Sequence, residues 1–139
     1  MTAYAGDVTP AEAWERLKSD PKARLVDVRT QAEWVYVGVP DLTPAGKQPL
    51  LVQWQVFPSM GRNEAFADQL KSQGVQPDDT LLFLCRSGVR SKAAAELMTQ
   101  LGFAHSYNIL DGFEGPLDGD RHRGAGAGWT ASGLPWAQG

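Results

Sequence analysis

Short runs of apolar residues alternate along the chain with segments in which apolar residues recur every three or four positions. The short runs predict buried strands, which lie at about 24–28, 50–57, 81–85 and 106–110. The amphipathic segments predict helices, which lie at about 10–18, from 30 onward, at 63–72 and at 92–101. Strands that alternate with helices predict an α/β fold with a central, mostly parallel sheet, right-handed crossovers and helices on both faces.

Capping signals mark where two of these helices begin. Thr9 and Glu12 have the spacing of a capping box, with Pro10 at the first helical position. Thr30 and Glu33 repeat the capping-box spacing, and we expect the short helix that follows to carry the next residue, a tryptophan, inward.

The composition changes near the end of the chain. Residues 116–128 are rich in Gly and charged residues and have little apolar content, which is typical of a flexible segment. Trp129, Leu134 and a second tryptophan follow, and tryptophans in a terminal segment indicate that it docks. We therefore predict one domain over 1–139, with a core at about 8–115 and a Gly-rich extension at 116–139 that Trp129 and Leu134 anchor.

Composition and charge limit the class of protein. The sequence has 139 residues, of which 42% are hydrophobic, enough for the core of one domain. A net charge of -3 argues against nucleic acid as a partner, and no apolar stretch approaches the roughly 18 residues of a membrane span.

Because one cysteine forms no internal disulfide and no leader-like segment is visible, we expect a cytoplasmic protein. His105 and His122 lack partners at ligand spacing, so we expect no metal and no cofactor.

The only cysteine, Cys85, ends an apolar run and is followed by small and basic residues and then by an alanine-rich amphipathic segment. This order predicts a buried strand, a tight loop and a helix, with the cysteine where the helix begins. Free N–H groups, the helix dipole, Arg86 and Arg90 all favour a thiolate there. Gly88 lets the loop turn so that successive N–H groups converge on the sulfur. We expect a nucleophile rather than the small buried hydrophobic residue that is the alternative.

The spacing of Cys85 and Arg90 narrows the chemistry. It is C-x4-R, one residue shorter than the C-x5-R loop of cysteine-dependent phosphatases, and a shorter loop suits an added sulfur atom or a small sulfur oxyanion better than a phosphate. The segment from Cys85 to Ser91 resembles the C-R-S-G-x-R-S loop of the rhodanese-like sulfurtransferases. The resemblance implies a catalytic Cys85 and a substrate-binding loop that consists of Arg86, Ser87, Gly88, Val89, Arg90 and Ser91.

Two further motifs of that family have counterparts here. Asp27-Val28-Arg29 matches a D-x-R motif, and Glu33-Trp34 matches an E-[FY] pair. For Asp27 the alternatives are a cap at the strand exit and an ion pair with Arg90 or Arg86, since parallel strands end at one edge of the sheet. We favour the ion pair and expect Asp27 and Arg29 to support the site structurally.

The sequence departs from the family in two places. Gly38 stands where the family usually has the histidine of G-H-I-P, and the segment from Asp111 to Phe113 lacks one glycine of a D-G-G-[FY] turn. Because persulfide chemistry needs no general base once the thiolate has formed, the missing histidine does not predict a loss of activity.

The predicted function is sulfur transfer in two steps. Cys85 takes a sulfane sulfur from a small anionic donor such as thiosulfate and passes it to a thiophilic acceptor such as cyanide or a small-molecule or protein thiol. With a single cysteine in the chain, the persulfide is resolved only by an outside acceptor. The alternatives are a persulfide carrier or partner-binding module with incidental activity, and a cysteine-dependent phosphatase or arsenate reductase.

Overall fold

The central element of the structure is a parallel β-sheet. The computed structural model describes residues 4–36, 38–56, 61–85, 89–110, 112–113, 129 and 134–137. In this part of the chain the strands are β1 (Gly6–Val8), β2 (Ala23–Asp27), β3 (Val39–Pro40), β4 (Leu50–Leu51), β5 (Gln55–Val56), β6 (Gly61–Arg62), β7 (Thr80–Leu84), β8 (Ser106–Ile109) and β9 (Trp136–Ala137). The helices are α1 (Pro10–Ser19), α2 (Gln31–Tyr36), α3 (Phe66–Ser72) and α4 (Val89–Gln100), with a 3-10 helix at Thr43–Ala45.

The sheet has the strand order β1-β8-β7-β2-β4, and every neighbouring pair is parallel. α1 connects β1 to β2, and α4 connects β7 to β8. The predicted α/β fold with a parallel central sheet is therefore confirmed. β7 is the middle strand, and Leu81 to Leu84 are completely buried because strands flank it on both edges and side chains cover both of its faces.

The pleat of the strands divides the buried apolar side chains between two clusters, one on each face of the sheet. The α4-side cluster combines α3, α4 and alternate strand residues and consists of Val26, Val28, Val52, Phe66, Leu70, Val75, Leu81, Phe83, Cys85, Ala94, Ala95, Met98 and Phe103. The α1-side cluster consists of Val8, Ala13, Leu17, Ala23, Leu25, Leu42, Leu82, Leu84, Ile109, Phe113 and Trp129. Helices thus cover both faces, as predicted.

Both predicted capping boxes are present. At the start of α1 the backbone N–H of Glu12 donates to Thr9 Oγ1 (3.1 Å), and the N–H of Thr9 donates to Glu12 Oε1 (2.8 Å). Before α2 the N–H of Thr30 donates to Glu33 Oε1 at 3.1 Å, and the N–H of Glu33 donates to Thr30 Oγ1 at 3.4 Å. Each box satisfies backbone donors that the first turn of a helix leaves free.

The strand predicted at 50–57 is wrong as a single element. β4 pairs with β2 only at Leu50 and Leu51, and the chain then leaves the sheet to form β5, which pairs antiparallel with β6. α3 also begins at Phe66, later than a helix capped by Asn63 would begin, and Asn63 Oδ1 accepts the N–H of Ala65 in the turn before the helix. β1, β3 and β9 are too short for their sequence patterns to have been recognised as strands.

Near the end of the chain, Trp129 and Leu134 pack onto the α1 face of the sheet. Trp129 is completely buried in the α1-side cluster, against which Leu134 packs, and the Trp129 indole N–H donates to the carbonyl of Pro135 at 2.7 Å. Its ring meets Trp14 of α1 edge to face, with 6.0 Å between centroids, and β9 pairs antiparallel with β3. These contacts place Trp129 and Leu134 against the α1-side cluster, while the docking of 116–139 as an extension stays a prediction. The proposed domain limits stay a prediction, and 116–128 lie outside the described residues.

Candidate active site

Cys85 directly follows β7, the middle strand, and α4 begins four residues later at Val89. The cysteine therefore lies at the carboxyl edge of the parallel sheet, where α/β proteins form their sites. Arg86, Ser87 and Gly88 lie outside the described residues, so the loop that we expect them to form around the sulfur stays a prediction.

The cysteine is buried, with 1% of its surface exposed, and it belongs to the α4-side cluster. Burial is what the alternative interpretation, a core cysteine, also predicts. The sulfur is not in purely apolar surroundings, however, because Sγ lies 3.2 Å from Oγ of Ser91 in the first turns of α4. Any reaction at Cys85 must therefore admit the reagent to a recessed sulfur.

Backbone hydrogen bonds from both sides fix the position of Cys85. The N–H of Phe113 donates to the carbonyl of Cys85 at 2.7 Å, and the N–H of Val28 donates to the carbonyl of Leu84 at 2.8 Å. The N–H of Trp129 in turn donates to the carbonyl of Gly112, next to Phe113, at 2.8 Å. The C-terminal segment is therefore linked through one turn to the end of β7.

Arg90 forms a bidentate ion pair with Glu33 of α2. Its Nη1 and Nη2 lie 2.8 Å and 3.0 Å from Oε1 and Oε2 of Glu33, and the two side chains are 19% and 13% exposed. Burial raises the pKa of Glu33, but the hydrogen bonds from Arg90 and Thr30 outweigh burial and lower this pKa to about 2. Burial lowers the pKa of Arg90, but the hydrogen bond and charge of Glu33, together with weaker electrostatic contributions from Cys85 and Asp27, outweigh burial and raise this pKa. Arg90 is thus a fixed cation whose charge interacts with the sulfur.

The favoured ion pair between Asp27 and Arg90 is wrong. Asp27 pairs with Arg29, with 2.6 Å between Oδ2 and Nη2 and 2.9 Å between Oδ1 and Nε, and both side chains are completely buried. The pleat explains the difference, because Asp27 shares the α1 face of β2 with Ala23 and Leu25, whereas Arg90 belongs to α4 on the opposite face. Arg86, the other partner considered, lies outside the described residues.

The alternative interpretation of Asp27, as a cap at the strand exit, is confirmed. Its Oδ1 accepts the backbone N–H of Arg29 at 3.1 Å. The guanidinium of Arg29 also lies 4.2 Å above the ring of Phe113, whose N–H holds Cys85, and Nη2 donates to the carbonyl of Gly38 at 2.6 Å. Asp27 and Arg29 are therefore connected to the backbone of Cys85 through Phe113.

Gly38, which stands where the family usually has histidine, adopts a φ of 118°. Side chains with a Cβ rarely adopt this conformation. The backbone that offers the Gly38 carbonyl to Arg29 is thus one that suits glycine, which gives the departure from the family pattern a structural reason.

Asn108 of β8 is a site residue that the sequence analysis missed. Its Oδ1 accepts the hydroxyl of Ser91 at 2.6 Å, and the side chain is 3% exposed. Asn108 pairs in register with Phe83, two residues before Cys85, so the pleat places Asn108 and Cys85 on the same face of the sheet. The signal in the sequence that could have identified Asn108 is a polar amide side chain within a short apolar strand.

The arrangement suits nucleophilic chemistry by sulfur. It combines a recessed thiol at a strand end, a hydroxyl in contact with the sulfur, and a cation held by a carboxylate. Among the residues that the structure describes, no group of three or more His, Cys, Asp or Glu side chains is placed to hold a metal ion. Within the same residues, no helix has the length and apolar character to cross a membrane.

Sequence comparisons extend these observations. A family model described as the STR4 middle domain matches residues 5–139. The chain is 37% identical over 131 residues to the RP600 homologue of Rickettsia rickettsii, which covers 94% of this chain and 95% of that protein. It is 30% identical over 127 residues to the chloroplastic rhodanese-like domain-containing protein 4 of Arabidopsis thaliana, covering 91% of this chain and 24% of that protein. Identity to the thiosulfate sulfurtransferase GlpE of Actinobacillus pleuropneumoniae is 25% over 135 residues, 97% of this chain and 95% of that one.

A solved structure with high similarity to this chain is the crystal structure of Rv0390 from M. tuberculosis. The two chains superimpose with a TM-score of 0.89 and are 49% identical, and the match covers 99% of this chain and 100% of that one. At this similarity the two chains share the same fold.

Proposed function

Because this chain belongs to the STR4 middle-domain family of rhodanese-like proteins, we propose that it is a sulfurtransferase that carries sulfur as a persulfide on Cys85. The observation that supports this most is the position of Cys85 at the end of the middle strand, with its sulfur close enough to Arg90 for the two charges to interact.

The reaction has two balanced steps. The Cys85 thiolate attacks the outer, sulfane sulfur of a donor such as thiosulfate, the S–S bond of the donor breaks, and sulfite leaves with the electron pair of that bond. A thiophilic acceptor, such as cyanide or a thiol, then attacks the terminal sulfur of the persulfide. The S–S bond of the persulfide breaks and the Cys85 thiolate is restored.

Each residue of the site has a proposed role in this reaction. Cys85 is the nucleophile, and Arg90 attracts the anionic donor and orients it while Glu33 holds the guanidinium in place. We propose that Arg86, Ser87, Gly88, Val89 and Ser91 bind the transferred sulfur together with Arg90, and that Asp27 and Arg29 support the site through Phe113. The cytoplasmic location that we expect from the sequence likewise remains a proposal.

The test is the formation of the persulfide. Incubation with thiosulfate, followed by removal of the excess, is expected to add the mass of one sulfur atom to the intact protein. Because the chain has one cysteine, Cys85→Ser is the matched control, and it should fold normally, gain no mass and produce no thiocyanate from thiosulfate and cyanide. An unchanged mass of the folded wild-type protein, or turnover that Cys85→Ser retains, contradicts the proposal.

The same preparation separates the rival chemistries. Parallel assays with thiosulfate, mercaptopyruvate and an aryl phosphate should show turnover of a sulfur donor and none of the phosphate ester. Hydrolysis of the aryl phosphate alone would instead indicate a cysteine-dependent phosphatase. A persulfide that forms but turns over with neither cyanide nor a thiol would indicate a carrier or partner-binding module.

A further inference from the structure

A chain of hydrogen bonds leads from Cys85 across two strands to the edge of the sheet. Sγ of Cys85 lies 3.2 Å from Ser91 Oγ, and the Ser91 hydroxyl donates to Asn108 Oδ1 at 2.6 Å. The amide Nδ2 of Asn108 donates to Asp7 Oδ1 at 3.0 Å, and the same carboxylate oxygen accepts the hydroxyl of Tyr4 at 2.7 Å. Asp7 and Asn108 are register partners in the parallel pair β1 and β8.

The direction of each hydrogen bond in this series follows from Asp7, the residue at its outer end. Asp7 Oδ1 is an acceptor, so the Asn108 side chain must present its NH2 group to Asp7 and its oxygen to Ser91. An amide oxygen only accepts, and the single hydroxyl proton of Ser91 is therefore committed to Asn108. Toward Cys85, the Ser91 oxygen therefore acts only as a hydrogen-bond acceptor.

This arrangement of hydrogen-bond donors and acceptors favours the thiol form of Cys85 over the thiolate form. A Cys85 S–H group donates to the Ser91 oxygen, whereas a thiolate meets lone pairs unless the hydroxyl turns away from Asn108. Turning would leave the Asn108 oxygen, in a side chain 3% exposed, without its partner. The formation of a thiolate is thus coupled to the orientation of an amide that Asp7 fixes.

We propose that Asp7 and Asn108 are positioning residues that hold the Ser91 hydroxyl away from the sulfur and so restrain the ionisation of Cys85. The proposal concerns the nucleophile of the proposed function. Its test reads the thiol itself, so it fails or succeeds whether or not sulfur is transferred.

Other charged groups at the site set the background for this effect. Arg90 of α4 favours the thiolate, with Glu33 of α2 as its counter-ion, and Asp27 and Arg29 at the end of β2 form a pair of no net charge. The hydrogen bond to Asp7, together with burial and nearby negative charge, raises the pKa of Tyr4 to about 12, so its hydroxyl remains a donor in neutral solution. The substitutions below leave Arg90, Glu33, Asp27 and Arg29 unchanged.

The experiment measures the rate at which iodoacetamide alkylates Cys85 as a function of pH. In Asp7→Ala the acceptor that fixes the Asn108 amide is gone, so Asn108 turns its NH2 group toward Ser91 and the Ser91 proton is free for the sulfur. We expect the midpoint of the rate profile to move down by about one pH unit, a roughly tenfold gain in thiolate below the midpoint. Asn108→Leu, of similar shape, removes the acceptor of Ser91 and is expected to shift the midpoint in the same direction.

A double-mutant cycle separates this mechanism from the loss of a negative charge at Asp7. Asp7→Ala in a Ser91→Ala background should leave the midpoint where Ser91→Ala alone places it, because the hydroxyl that transmits the effect is gone. Tyr4→Phe, which keeps the carboxylate and its bond to Asn108, should match the wild type. An equal shift with and without Ser91, or no shift in folded Asp7→Ala and Asn108→Leu, overturns the proposal.

Discussion

Replacing Glu33 with Gln removes the negative partner of Arg90 while the shape of the side chain is kept. The wild-type carboxylate accepts both terminal nitrogens of Arg90, at 2.8 Å and 3.0 Å, and the N–H of Thr30 at 3.1 Å. Glu33 and Arg90 are 13% and 19% exposed, so water compensates little for a lost partner. We expect Glu33→Gln to destabilise the protein at neutral pH.

The size of the effect follows from the pKa of Glu33, which is about 2 in the folded protein against an ordinary value of 4.5. One pKa unit corresponds to about 1.4 kcal/mol, so the ionised carboxylate contributes about 3 kcal/mol to the free energy of unfolding. Because the folded-state pKa is the lower one, this contribution is fully present above pH 4.5 and is lost as the pH falls toward 2. The two proteins should therefore converge in acid.

Urea unfolding followed by circular dichroism at several pH values between about 7 and 3 measures this difference. The matched control is Glu15→Gln, which breaks the exposed pair between Glu15 and Lys18 and should change the free energy of unfolding very little at any pH. A difference between Glu33→Gln and wild type that is absent at pH 7, or that stays constant down to pH 3, would refute the argument, because neither result follows from a carboxylate that titrates near pH 2.

Two further substitutions test the packing around the site. Trp129→Ala should lower the free energy of unfolding by about 3–5 kcal/mol in urea unfolding, because the ring is completely buried against Trp14. Trp136→Ala, at a position 44% exposed, is its control and should cost far less; equal losses would contradict the anchoring role of Trp129. Asp27→Asn leaves the completely buried Arg29 without its counter-charge and should cost about 3–5 kcal/mol by the same measurement, whereas unchanged stability would show that the pair contributes nothing.

The C-terminal segment and the cysteine are connected through Phe113. Its ring lies between Arg29, at 4.2 Å, and Trp136, at 5.8 Å and edge to face, while its backbone N–H holds the carbonyl of Cys85. Loosening the terminal segment is therefore expected to reach the site through one turn of the chain, without any direct contact of Trp129 with the sulfur.

The sequence alone determined those features that depend on neighbours along the chain. The alternation of apolar runs and amphipathic segments predicted the α/β sheet, and the spacing of Thr9 and Glu12 predicted the start of α1, since both signals are local. The position of Cys85 between β7 and α4 was also visible, because a strand followed by a helix is a local pattern.

Only the tertiary structure decided which charged side chains meet. The pairing of Arg90 with Glu33 and of Asp27 with Arg29 depends on which face of the sheet each residue occupies, and the pleat reverses that face with every residue. The contact of Ser91 with Asn108, and of Asn108 with Asp7, joins residues 17 and 101 positions apart through strand register. Register is set by the packing of the whole sheet, and no local pattern of residues contains it.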